Sequence, residues 1–153
     1  MLDIASIRRN FAHALRRGCS ESGCTLRLSN LGTYAVLKGE KICQDRKMCD
    51  CIIFVVDGSV VIGLVELKGK TVHASAVVEK LTNSSEIALD ILDEYGDKRA
   101  ENVLCHFVLH RGLDSSERRK IGRSRIRIRG KAYDIKTKRC GTSFSAVISD
   151  FKR

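Results

Sequence analysis

Ile52-Ile53-Phe54-Val55-Val56 and Val60-Val61-Ile62-Gly63-Leu64-Val65-Glu66-Leu67 stand on either side of the turn residues Asp57 and Gly58. Two apolar runs about such a pair predict a β-hairpin. Neither run alternates apolar with polar residues. Both strands are therefore expected to be buried on both faces, at the centre of a sheet.

Downstream, Val72, Ala76, Val77 and Leu81 recur at helical spacing over residues 71–81. Thr82-Asn83-Ser84-Ser85 interrupts, and the pattern resumes over 86–95 with Ile87, Ile91, Leu92 and Tyr95 before Gly96. This predicts one kinked helix or two. Residues 102–109 predict another buried strand. Residues 111–122 are polar and basic, and 125–129 with 132–138 predict a hairpin turning at Gly130-Lys131. Upstream, Ile4, Ile7, Phe11, Ala14 and Leu15 predict a helix over 3–17, capped by Asp3 and stopped by Gly18. Short strands are expected near 25–28 and 34–38. This order of elements predicts an α/β sandwich with a central mixed sheet, in one domain spanning 1–153.

Composition narrows the function. The chain has 153 residues, 43% hydrophobic and 30% charged, enough apolar content for a core and too much for a disordered tail. Lys plus Arg number 28 against 18 acids, a net charge of +10 and a pI near 9.5. A polyanionic partner is expected, nucleic acid before membrane, since Trp is absent and no aromatic anchors flank the basic residues. No apolar run approaches the roughly 18 residues of a membrane span, and the N-terminus has no signal-peptide pattern. The seven cysteines, an odd and scattered set, argue for a reducing compartment over a disulfide framework, and so for a cytoplasmic location. A zinc-stapled interaction domain is an alternative, but Cys19 and Cys24 are widely spaced for a knuckle, and Cys49 and Cys51 too tightly.

The positive charge is localised. Residues 111–139 hold twelve Lys or Arg and three acids, a net +9. Within them lies Arg123-Ser124-Arg125-Ile126-Arg127-Ile128-Arg129. In a strand, alternate side chains share a face, so the four arginines would form one outward row over Ile126 and Ile128. Such a row suits a nucleic-acid backbone, with Lys131 just beyond it.

Three residues break the apolar pattern of the first hairpin. Glu66 and Lys68 end its second strand and share a face, and Asp50 opens the first. A buried carboxylate must be paired or bound to a metal. Two carboxylates with a main-chain carbonyl, naturally that of Leu67, can hold Mg²⁺ (or Mn²⁺), and Lys68 can orient an attacking water. Register decides whether they meet. A two-residue Asp57-Gly58 loop pairs Val56 with Ser59 and turns Asp50 away from Glu66. A three-residue Asp57-Gly58-Ser59 loop pairs Val56 with Val60 and sets Asp50 opposite Glu66, and a bulge would serve equally.

Asp50, a hydrophobic hairpin, and Val65-Glu66-Leu67-Lys68-Gly69 together resemble the PD-(D/E)xK phosphodiesterase superfamily, over about residues 48–81. The resemblance implies a restriction-endonuclease-like fold, Asp50 and Glu66 as Mg²⁺ ligands, and Lys68 as the group that activates water. Cys49 stands where the family name has Pro. Where many members carry Gln on the following helix, this chain offers Lys80, which could contact a phosphate, or Glu79, which could add a metal ligand. Some members carry a further Glu on the first helix. Here the nearest acid is Glu21, beyond that helix, and no role is assigned to it.

The expected function is a Mg²⁺-dependent nuclease, acting on DNA before RNA, in defence or DNA processing. A homodimer or a larger assembly would complete its binding surface. The alternative is a basic nucleic-acid-binding module in which Asp50, Glu66 and Lys68 are a structural ion pair. His73, His106 and His110 are expected to be structural or solvent-edge residues.

Overall fold

The computed structural model describes residues 1–68, 72–97 and 101–152. Gly69 of the quoted motif and the predicted start of the helix at 71 lie outside the described residues.

The first hairpin forms as its apolar runs require. β5 (Cys51–Asp57) and β6 (Ser59–Leu67) are antiparallel, with Val56 opposite Val60 and Cys51 opposite Val65. This is the longer-loop register, tightened so that Asp57 pairs with Ser59 around Gly58. Gly58 sits at φ 74°, a conformation that costs a residue without Cβ little. Continued by one residue, the ladder sets Asp50 opposite Glu66.

β5 and β6 lie in a seven-stranded mixed sheet of order β1-β4-β5-β6-β7-β9-β8. The others are β1 (Leu15–Arg16), β4 (Thr33–Lys38), β7 (Asn102–His110), β8 (Arg125–Ile128) and β9 (Lys131–Arg139). β7 runs parallel to β6 and to β9, and the remaining pairs are antiparallel. β2 (Cys19–Glu21) and β3 (Cys24–Leu26) form a separate small hairpin. Two apolar layers cover the sheet. Ile52, Phe54, Ile62 and Leu64 pack toward α1 (Ile4–Asn10), α3 (Ala74–Tyr95) and α4 (Ser115–Arg123). Ile53, Val55, Val61 and Val65 pack toward the β2–β3 hairpin and α5 (Phe144–Phe151). A short helix, α2 (Gly39–Ile42), completes the set. The chain is thus mixed α/β with a central mixed sheet.

Three expectations are corrected. The first helix ends at Asn10, because Leu15 and Arg16 pair with Leu37 and Val36 as an edge strand. Sheet pairing there overrides a helical pattern. The 71–95 region contains one continuous helix from Ala74, since tertiary contacts occupy the polar interruption. Asn83 donates to the Lys47 carbonyl, Ser84 Oγ accepts from Cys49 N–H, and Ser85 Oγ bonds His106 Nε2. Finally, Cys19 is bonded to Cys51 and Cys24 to Cys140, leaving Cys43, Cys49 and Cys105 as thiols. The odd count reflected leftover thiols, so it no longer argues for a reducing compartment. The zinc alternative loses Cys19, Cys24 and Cys51 to the same disulfides. No described helix is long and apolar enough to cross a membrane.

Candidate active site

Glu66 lies on the α3 face of β6, in line with Ile62 and Leu64, and is fully buried. A carboxylate there needs compensation. Its Oε2 receives Lys80 Nζ of α3 at 2.9 Å and Lys68 Nζ at 3.4 Å. Its Oε1 is buried without a hydrogen-bond donor. Lys68 and Lys80 are about one-third and one-quarter exposed, so solvent reaches the cations while the anion stays dry.

Asp50 stands beside Glu66 at the same end of the hairpin. Its Oδ2 accepts the Leu67 N–H at 2.7 Å. Burial, then the charge of Glu66 and hydrogen bonding with it, push the Asp50 carboxyl up to about 8, although the Leu67 N–H opposes the rise. For Lys80, burial works against the charge, but the hydrogen bond and charge of Glu66 together hold its pKa above the ordinary value.

The approach to Asp50 is clamped onto α3. Arg46 reaches Glu86 at 2.6 Å and Asn83 at 2.7 Å, and Cys49 N–H donates to Ser84 Oγ at 2.8 Å. A cleft lined by Lys38, Arg46, Lys47, Asp50 and Lys80 opens alongside, with a volume of about 280 Å³.

The structure thus brings Asp50, Glu66 and Lys68 together at one end of the sheet. Leu67 contributes its N–H to Asp50. Lys80, expected to reach a phosphate, instead bonds Glu66. Glu79, the alternative metal ligand, is drawn to Lys47 at 3.7 Å on the surface. Glu21 was the residue passed over. Its hydrogen bonding with Asp50 is among the causes of the raised Asp50 pKa, and the disulfide from Cys19 to Cys51 mounts the Glu21 hairpin beside Asp50. No local signal marked it, because β2 is carried to the site by tertiary contacts, the disulfide among them.

Two acidic side chains, one with an unpartnered buried oxygen, and a raised Asp50 pKa suit a divalent cation, which would offset their mutual repulsion. Among the described residues, no three His, Cys, Asp or Glu side chains form a metal-holding group. The protein side chains offer two ligands, leaving other positions to main chain, water or substrate.

The arginine row does not form as one strand face. Arg123 ends α4 and Arg129 occupies a left-handed turn at φ 51°, so only Arg125 and Arg127 alternate outward on β8. Arg129 is held by Asp93 at 2.8 Å and Asp90 at 3.3 Å, and Arg125 by Asp134 at 2.9 Å. Continuing the β7–β9 register sets Lys131 level with Asn102, which pairs with Val60. Glu66 is six residues farther along β6, roughly 20 Å at about 3.3 Å per residue. Lys131 and the site therefore occupy opposite ends of the sheet.

His106 and His110 are packed into the fold. His106 Nε2 bonds Ser85 Oγ at 2.7 Å, and His110 Nδ1 accepts from Leu113 N–H at 3.0 Å. Comparison with protein-family models, curated proteins and solved structures finds no match to this chain.

Proposed function

We propose that this protein is a metal-dependent phosphodiesterase that cleaves nucleic acid, with DNA the first substrate to test, on a restriction-endonuclease-like version of its α/β sandwich. One observation carries the proposal. Glu66 is fully buried with a carboxylate oxygen that no lysine or main-chain N–H reaches, beside a second carboxyl and two partly exposed lysines. A purely structural ion pair is expected to satisfy its buried oxygens.

Asp50 and Glu66, with the Leu67 carbonyl, would hold Mg²⁺ or Mn²⁺. A bound divalent ion supplies Lewis-acid polarisation of a phosphoryl oxygen and a lowered pKa for water. The chain's own groups do the rest. Lys68, ion-paired with Glu66 and partly open to solvent, can orient an attacking water, and its ammonium stabilises negative charge gathering on the phosphate. Lys80 shares the same oxygen of Glu66 and offsets its negative charge in a dry setting. The Leu67 N–H fixes the direction of Asp50. A homodimer or larger assembly would extend the binding surface of so small a domain.

The test is cleavage of supercoiled plasmid in Mg²⁺, Mn²⁺ or EDTA, beside folded Lys68→Ala. Cutting that needs the cation and falls by roughly a hundred- to a thousandfold in the variant is the expected result. Plasmid and RNA that are bound but remain intact under every condition would make the protein a binding module, with Glu66 serving the fold.

A further inference from the structure

The end of the sheet that carries Glu66 also gathers arginines from three elements. Lys68 N–H donates to the Leu109 carbonyl, and Cys140 N–H to the His110 carbonyl. With His110 paired to Arg139, the continued ladders set Lys68, His110 and Arg139 level on adjacent strands. The Arg139 guanidinium donates to the Arg111 carbonyl. Arg118, from α4, donates to the Leu113 carbonyl at 3.3 Å, and the Leu113 N–H in turn holds His110. Arg111 lies over Gly23, where an added Cβ would come within 2.4 Å of its Nη2. The missing side chain at Gly23 is thus the seat of this guanidinium.

All three arginines are exposed. Arg46, Arg125 and Arg129 each have a carboxylate partner. Among the described residues, Arg111, Arg118 and Arg139 form no ion pair. Burial first, and then the charges of Arg139 and Arg118, hold the His110 pKa below its ordinary value, so both guanidiniums act on the same spot. Exposed cations without ion-pair partners at one end of the sheet attract an anion. Arginine presents a planar fork of donors that matches phosphate oxygens two at a time.

We propose that Arg111, Arg118 and Arg139 form a phosphate-binding site for the nucleic-acid strand that enters the Asp50–Glu66–Lys68 cluster. The inference rests on the nuclease reading for its substrate. It moves the backbone grip from β8 to the ends of β7 and β9, next to the chemistry.

The experiment is fluorescence anisotropy of a short fluorescein-labelled DNA duplex in EDTA, over a range of salt concentrations. Wild type is compared with Arg111→Ala/Arg139→Ala and with Arg125→Ala/Arg127→Ala. All four side chains are exposed, and thermal melts check that both doubles are folded. The first double is expected to lose about tenfold or more in affinity and to lower the salt slope by about two. The second is expected to lose less than about threefold, since Asp134 already neutralises Arg125. Wild-type affinity and slope in the first double would overturn the site, as would equal losses in both doubles, which would mean diffuse attraction. A wild type that binds neither duplex, single-stranded DNA nor RNA would overturn it too. The nuclease reading is judged separately by Lys68→Ala on plasmid. Cleavage sensitive to Lys68 but indifferent to Arg111 and Arg139 would sink only this inference. Arginine-dependent binding without cation-dependent cleavage would sink only the nuclease.

Discussion

Glu66 and His106 are both titratable, both fully buried and both on the α3 face of neighbouring parallel strands. Their surroundings differ. Glu66 sits at the strand end, where two lysines open to solvent share one oxygen and the other is left without a donor. His106 sits two residues nearer the middle of the sheet, against Ser85 and the Tyr133 ring, with no charge beside it. Burial alone pushes its pKa down to about 4. An unpartnered atom occurs in both, Oε1 of Glu66 and Nδ1 of His106. Only at Glu66 do a second carboxyl and accessible cations accompany it, which is why the proposed chemistry is placed there. Burial by itself does not distinguish a site from a packed polar residue.

The largest effect that would break this contrast is on activity. Glu66→Ala is expected to lower plasmid cleavage by about a thousandfold or more, and His106→Leu to leave the rate of the folded protein within a few-fold. Comparable losses measured in both would erase the distinction.

Stability comes next. The β2–β3 hairpin is tied beside the Glu66 end by disulfides, one of which closes 116 residues. Cys24→Ser/Cys140→Ser is expected to lose about 5 kcal/mol on loop entropy, read by urea unfolding. Alkylation of the unfolded, unreduced wild type should modify three cysteines, matching the three thiols. Five or seven would refute the pairing.

A pH series then sharpens the His106 side. The native imidazole is held neutral to about 4, whereas an unfolded histidine titrates near 6.5. Between those values the unfolded state binds the extra proton. Stability from this group is therefore full above about 6.5 and lost as pH falls toward about 4, by about 3 kcal/mol in all. Urea melts of wild type and His106→Leu should differ in slope over that window, and parallel curves would count against a neutral buried imidazole. The smallest effect is expected from Ser85→Ala, about 2 kcal/mol, because it removes the hydrogen bond to His106 Nε2. Equilibrium unfolding reads it, and a change below a few tenths would mean that the hydroxyl contributes little.

The amino-acid pattern by itself determined the central hairpin, its burial on both faces, and the break at Asp50, Glu66 and Lys68, because period and polarity are local properties. It left the register as a choice of loops, since one residue of slip turns Asp50 to the other face. Tertiary structure decided that choice through Gly58 and the pairing of Val56 with Val60. Only tertiary structure, too, could turn Thr82-Asn83-Ser84-Ser85 from an apparent break into the middle of α3, because the partners of Asn83 and Ser84 come from residues 46–49. The charge of segment 111–139 was legible as a sum. Its division into Arg125 and Arg129, held by acids, and Arg111, Arg118 and Arg139, gathered beside Lys68, was not. Charge can be counted along a chain, but ion pairing depends on which strands meet, and distant residues set that.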